Sequence, residues 1–153
     1  MAKTEIQLLK SFKHNSKMEK QTKIAILWIV VMCGLTIHSL ADLMPLFWGE
    51  DITVSQDGNT PTGLLVFMMT MTYLIPVLGI LCVMFWNKRM GRKTNAILAT
   101  VMALFNAAHC FELLDFTPVQ VPMLVGNLVV SIVLCVISWH MVEKCKNGCS
   151  CCG

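Results

Sequence analysis

Residues 83–98 of the chain read Val-Met-Phe-Trp-Asn-Lys-Arg-Met-Gly-Arg-Lys-Thr-Asn-Ala-Ile-Leu, so that a short basic segment separates two apolar runs. All 12 Lys and Arg residues belong to this segment or to similar clusters before the first apolar run and after the last. These bases are Lys3, Lys10, Lys13, Lys17, Lys20, Lys23, Lys88, Arg89, Arg92, Lys93, Lys144 and Lys146. The two alternate gaps contain no base. Because basic residues stay on the cytoplasmic side during insertion, this alternation predicts four crossings with both termini cytoplasmic.

The composition agrees with a membrane protein. The chain is 56% hydrophobic and 14% charged, with a mean hydropathy of +0.66, which is too apolar for an ordinary soluble domain. A spanning helix needs about 20 apolar residues. The sequence predicts spans at about 24–47, 63–86, 95–116 and 121–142. The prediction is an all-α, four-transmembrane-helix up-down-up-down bundle in the plasma (inner) membrane, because short connections make sequential helices antiparallel neighbours.

The flanks of the transmembrane domain, 24–142, are a basic cytoplasmic segment, 1–23, and a Cys-rich cytoplasmic tail, 143–153. In the basic segment Ile6, Leu9 and Phe12 recur at helical spacing, which predicts an amphipathic helix on the membrane surface; a solvated tail is the alternative. The net charge of +3 comes from bases next to the membrane, so the predicted partners are the bilayer and anionic lipids of its cytoplasmic face, not nucleic acid.

A layer of polar residues is predicted inside the bundle. His38 and Asp42 share one face of the first span, and His109 and Glu112 nearly share one face of the third. His38 and His109 lie equally far past the starts of their runs, roughly 21 Å from the inner edge. Counting to the same depth on the other spans adds further polar residues, provided that Pro76 does not shift the alignment. The complete predicted layer is His38, Asp42, Thr72, Tyr73, Asn106, His109, Glu112 and Asn127.

Ionisable residues inside a span usually face the bundle interior or a wet cavity, and three interpretations of the layer remain open. It could hold a small ligand, an ion or a proton that enters from the outer side. It could ligate a metal ion such as Zn, Fe or Mn, or serve a quinone, in a membrane oxidoreductase or metalloenzyme. It could also fix helix packing by hydrogen bonds, as in an assembly or scaffold protein. The first, non-enzymatic interpretation is preferred.

The tail contains Cys145, Cys149, Cys151 and Cys152 within eight residues. On the reducing cytoplasmic side, such thiols are not expected to form structural disulfides. Thiolates are soft ligands that suit Zn or Cu(I). Acylation of juxtamembrane cysteines and a tail without a specific role are the alternatives. The cysteines of the spans fall one per helix and form no Cys-x-x-Cys pair, which argues against a thiol relay.

Three further predictions concern the tryptophans, the glycines and the oligomeric state. Trp28, Trp86 and Trp139 lie near the inner ends of their spans and Trp48 near an outer end, as in an interfacial aromatic belt. Three glycines, Gly34, Gly79 and Gly126, are predicted to permit close contact between helices. A bundle of this size has little room for a continuous pathway, so a homo-oligomer is also predicted.

The run Ile26-Leu-Trp-Ile-Val-Val-Met32 leads into His38-Ser-Leu-Ala-Asp42. This stretch resembles the opening helix of small four-helix bacterial membrane proteins whose function is unassigned. In size and topology the chain also looks distantly like the DoxX/DoxD-like group, which implies quinone-linked redox chemistry for the bundle. No motif in this chain carries that activity over to particular residues, and the resemblance does not extend to the basic segment or the Cys-rich tail.

Overall fold

A computed structural model describes residues 2–51, 61–86, 89–111 and 121–146, with side chains from Glu19 to Lys144 within these ranges. The described chain is helical almost throughout and contains no strand. Four of its helical stretches are long and apolar enough to cross a membrane. They are Glu19–Trp48, Thr62–Phe85, Arg89–Phe111 and Val121–Lys144. The prediction of four apolar helices of spanning length is therefore confirmed.

The first helix, α1 (Ala2–Asp42), runs without a break from the lysine-rich segment into the first apolar run. A 3-10 helix, Met44–Trp48, follows it and begins next to a proline, which suits the first turn of a helix. Gly49 ends this segment with a φ of 79°, a left-handed conformation that favours glycine, and its amide donates to the Leu46 carbonyl at 3.1 Å. The position of residues 2–18 relative to a membrane stays a prediction.

The second span has a defect in its middle. It consists of α2 (Thr62–Met69), a π-helical turn (Thr70–Leu74) and α3 (Ile75–Phe85). Pro76 has no N–H and cannot donate to the carbonyl of Thr72, as an α-helix would require at this position. Just before it, the amide of Ile75 donates to the Thr70 carbonyl, five residues back. The proline thus lies at the point where the helix changes its hydrogen-bond register.

The third and fourth spans are single helices, α4 (Arg89–Phe111) and α5 (Val121–Lys146). The helix α4 begins before the predicted start of the third run at Asn95 and includes Arg89 and Arg92. Residues 112–116 of that predicted run lie outside the described residues. Of the basic residues between the second and third runs, Arg89, Arg92 and Lys93 thus belong to the N-terminal part of α4.

Helices α1 and α4 each pack against α3 and α5, and the most extensive interface joins α4 to α5. Small residues make this interface possible: Ala96 and Ala99 of α4 are completely buried, as is Ser131 of α5. Side chains pair in opposite sequence order along these two helices, Asn95 with Ser138 and Asn106 with Asn127. The pairing fixes which residues of α4 and α5 lie at the same level.

The interface between α1 and α3 depends on Gly79. A Cβ atom there would overlap the indole ring of Trp28, so only glycine permits this approach. The interfacial prediction for Trp28 is wrong: its side chain is 0% exposed and lies in the core with Val31 and Leu35. The other three tryptophans of the predicted belt, Trp48, Trp86 and Trp139, are exposed.

Candidate functional site

Two histidines are brought together by the core-facing stripes of α1 and α4. On α1 the buried positions Val31 and Leu35 are followed one turn later by His38, which is 6% exposed. On α4 the buried Met102 and Asn106 lead at the same helical spacing to His109, which is half-buried. Helical periodicity alone therefore directs both imidazoles into the bundle at matching levels.

The two imidazole rings are in hydrogen-bond contact. Nε2 of His38 lies 2.9 Å from Nε2 of His109, the rings are 81° apart, and their centroids are separated by 4.9 Å. One ring must donate its Nε2 proton and the other must accept it. A second added proton would place a donor on both nitrogens and two like charges side by side, which disfavours the doubly protonated pair. The contact therefore requires complementary protonation of the two Nε2 atoms, one with a proton and one without.

Aromatic rings fix the orientation of His109. The ring of Phe105, one turn earlier on α4, is stacked on His109 with a centroid separation of 5.7 Å and an angle of 12°. Phe67 of α2 in turn meets Phe105 edge to face at 6.2 Å. Such ring pairs contribute about 0.5–1.5 kcal/mol beyond simple burial. The second span thus contributes to the site through a phenyl ring.

A carboxylate lies between the histidine pair and solvent. Oδ2 of Asp42 is 3.8 Å from Nε2 of His38, and its side chain is 47% exposed, against 8% for the His38 side chain. The carboxylate would stabilise a positive charge on His38, and its exposure keeps it in contact with the surroundings of the bundle. At 3.8 Å the carboxylate is outside hydrogen-bond distance of Nε2, so transfer of a proton between the two requires an intervening water.

A second polar contact lies next to the pair. The side-chain amide of Asn127 donates to Oδ1 of Asn106 at 3.1 Å, and the amide of Asn106 donates to the Met102 carbonyl at 3.1 Å. Both asparagines are buried. The absence of a side chain at Gly34 makes room for Asn127, because a Cβ there would lie 2.6 Å from Oδ1 of Asn127. Polar groups of α1, α4 and α5 therefore meet around one level of the bundle.

Two members of the predicted layer lie on the second span, and of these Tyr73 points away from the bundle. The Thr72 hydroxyl donates to the Met68 carbonyl of its own helix at 2.8 Å. Tyr73 is exposed and lines a shallow groove on the outside of the second span, together with Leu65 and Met69. Of the remaining predicted residues, Glu112 lies outside the described residues.

Within the described part of the chain, no three His, Cys, Asp or Glu side chains are gathered as a metal site would require. The residues for which a metal was predicted in the tail are Cys149, Cys151, Cys152 and the side chain of Cys145, and all lie outside that part. The four cysteines of the spans, Cys33, Cys82, Cys110 and Cys135, are free thiols.

A buried polar chain nearer the lysine-rich ends of the spans was not predicted from the sequence. The indole N–H of Trp28 donates to Oδ1 of Asn95 at 2.8 Å, and the amide of Asn95 donates to the Ser138 hydroxyl at 2.9 Å. The signal was present in the sequence, because Asn127, Ser131 and Ser138 recur at helical spacing along α5. The sequence predicts Asn95 only as the start of an apolar run.

Comparison of the chain with family models, with curated proteins and with solved structures gives no match. The site must therefore be interpreted from its own chemistry.

Proposed function

We propose that the chain is an up-down-up-down four-helix protein of the plasma membrane with both termini in the cytoplasm. Support for this orientation comes from the bases, which flank the four spans only at alternate gaps and at both ends. In this orientation the lysine-rich ends of the spans are cytoplasmic. The histidine pair then lies in the outer half of the bundle, and Asp42 lies towards the outer surface.

The proposed function is the binding of a proton from the outer side by His38 and His109 acting as one unit. The observation that carries this proposal is the 2.9 Å contact between the two Nε2 atoms inside the bundle. Histidine changes its charge in the physiological range, and ionisable groups inside a span usually serve ion or proton handling. Asp42 supplies the exposed acceptor through which the proton enters.

The geometry favours a proton over a metal ion shared by the two rings. Zinc binds histidine nitrogens at about 2.0–2.1 Å, and a tetrahedral arrangement separates two such nitrogens by about 3.3 Å. The observed 2.9 Å is the length of a direct N–H···N hydrogen bond, and the bond uses the nitrogens that a shared metal would need.

A structural role is the second candidate, and the Asn106–Asn127 hydrogen bond favours it. That bond joins α4 to α5 without any ionisable group, as expected of polar side chains that only fix packing. If the histidine pair had the same role, it would remain neutral over the whole physiological range.

A count of protons taken up between pH 8 and pH 5 tests the proposal. The detergent-purified protein would be compared with His38→Gln, with His109→Gln and with the double variant. A shared site predicts that the wild type takes up one more proton than the double variant. Each single variant should also take up one more proton than the double variant. Relative to the double variant, independent histidines would take up two more protons in the wild type and one more in each single variant. A purely structural pair would take up no additional proton in the wild type. His140→Gln is the matched control, because it removes an exposed imidazole of α5 and should leave the difference between the wild type and the double variant unchanged.

The resemblance to the DoxX/DoxD-like group stays a separate proposal. It would be supported by a quinone that copurifies with the protein and is reduced or oxidised by it. The proposed homo-oligomer would be tested by the mass of the detergent-purified protein.

A further inference from the structure

The second span has the least contact with the rest of the bundle. Buried residues make up 11% of its most apolar stretch, against 28–33% for the other three spans. In its N-terminal part, α2, no residue is buried. A shallow groove of about 360 Å³ runs along the outside of this span. It is lined by six residues, Leu65, Val66, Met69, Thr70, Tyr73 and Leu74.

A tyrosine hydroxyl in this groove lies near the middle of the span. At about 1.5 Å per residue, Tyr73 is roughly 17 Å from each end of the helical stretch Thr62–Phe85. Its side chain is 59% exposed, and its hydroxyl has no hydrogen-bond partner among the described residues. Hydrocarbon offers neither a donor nor an acceptor, so a hydroxyl left unpaired at this depth is unfavourable. The occupant of the groove is therefore expected to supply a polar group at the level of Tyr73.

A matching acceptor lies in the same groove. The Thr70 hydroxyl donates to the Val66 carbonyl of its own helix at 2.8 Å, which leaves the lone pairs of its oxygen able to accept. A long side chain on a helix covers the turn N-terminal to its own Cα, so the Tyr73 hydroxyl is directed towards the level of Thr70. The groove thus carries a donor and an acceptor at nearly the same depth, and it is complementary to a second copy of itself.

A second copy suits the groove better than an acyl chain or a small ligand does. An acyl chain has no polar group for Tyr73. Small-molecule sites enclose most of their ligand, whereas this groove is shallow and open along the helix. Copies of one chain insert in the same orientation, so a two-fold axis along the membrane normal places two such grooves face to face at equal depth.

We propose that two copies of the chain associate through this face of the second span, and that Tyr73 of each copy donates a hydrogen bond to Oγ1 of Thr70 in the other. The apolar side chains of Leu65, Val66 and Met69 pack around the two equivalent bonds. The proposal rests on the proposed placement in the membrane, but not on the proton at the histidine pair, which belongs to other spans. It gives the proposed homo-oligomer a defined interface.

Energy transfer between labelled copies in phosphatidylcholine vesicles tests this proposal. The full-length protein would carry a donor or an acceptor dye at its N terminus, and transfer would be followed as the lipid-to-protein ratio is raised. Tyr73→Phe and Thr70→Val are each expected to raise the dissociation constant of the dimer by about tenfold, as for loss of two interhelical hydrogen bonds. Thr36→Val is the matched control and should stay within about twofold of wild type. Thr36 is exposed on α1 and makes the same bond to a carbonyl four residues back, that of Met32 at 2.9 Å.

A steric pair of variants locates the interface. Val66 in the groove and Val136 on α5 are both 61% exposed, so tryptophan at either position adds the same bulk to an equally open surface. Val66→Trp should abolish energy transfer at lipid-to-protein ratios at which Val136→Trp retains it. If Val66→Trp does not fold, Tyr73→Phe and Thr70→Val decide alone, because each removes a hydroxyl and leaves the shape of the side chain nearly unchanged.

Three results would overturn the proposal. They are energy transfer in the wild type no greater than random collisions produce, equal effects of the two tryptophan variants, and a dissociation constant of Tyr73→Phe equal to that of wild type. A protein that does not enter the vesicles would overturn the membrane placement and the interface with it. That failure is seen at reconstitution, so it is distinguishable from the failure of an inserted protein to associate.

Discussion

Replacing Gly79 by alanine is expected to destabilise the contact between α1 and α3. The new Cβ would overlap the Trp28 indole and lie 2.6 Å from both Cζ2 and Nε1. The indole is completely buried and rigid, so either α3 must move away from α1 or the ring must turn. Overpacking of this kind costs about 1–3 kcal/mol. A turned ring would also break the bond from Trp28 to Asn95, which adds about 0.5–1.5 kcal/mol.

Reversible unfolding in mixed micelles with increasing SDS measures this effect, with tryptophan fluorescence as the signal. We expect Gly79→Ala to lower the unfolding free energy by about 1.5–4.5 kcal/mol, the sum of the two costs. Gly126→Ala is the control, because its Cβ would meet no described atom within 4 Å and alanine is the better helix former. Equal stability of the two variants would refute the close α1–α3 contact on which the fold depends.

Three further changes probe the histidine layer. Gly34→Ala would place a Cβ 2.6 Å from Oδ1 of Asn127, so it should break the Asn106–Asn127 bond and cost about 1–3 kcal/mol in the same unfolding assay; a cost near zero would contradict the contact. Phe105→Leu removes the ring stacked on His109 and should lower stability by about 0.5–1.5 kcal/mol beyond the change in buried area, whereas the same substitution at the exposed Phe85 should have little effect. Asp42→Asn should slow proton exchange at the pair in pH-jump measurements and change stability by less than about 1 kcal/mol, because the carboxylate is half exposed; an unchanged rate would remove Asp42 from the pathway.

The sequence contains enough information for the four helices and for the depth of the histidines. Composition and the positions of bases determine where spans begin and end, because these properties depend on transfer of whole segments into lipid. Depth along a helix follows from residue counts. His38 is as far from Ile24 as His109 is from Asn95, and the two histidines are in contact in the structure.

The direction in which a side chain points was harder to predict. Residue counts give the depths of Trp28 and Tyr73 along their helices. Depth does not tell which face of a helix meets its neighbours. Trp28 faces the core and Tyr73 faces away from it. The π turn at 70–74 adds to this difficulty, because it changes the rotation of every residue on one side relative to the other.

The partners of individual side chains depend on packing between helices. The stacking of Phe105 on His109 is one such case, since both residues have the spacing of ordinary core positions on α4. Asn95 is another, because its two bonds require Trp28 and Ser138 from two other helices at the same level. The spacing of Ser131 and Ser138 marks one polar face of α5, but no local sequence signal identifies the residues of other helices that meet it.

The hydrogen bond between His38 and His109 is the central claim, and nitrogen NMR tests it most directly. The protein would be labelled with 15N at histidine and studied in lipid nanodiscs near neutral pH. The account predicts a scalar coupling between one protonated and one unprotonated Nε2, which His140→Gln retains and which His109→Gln abolishes. Two uncoupled Nε2 signals that titrate independently of each other would contradict it.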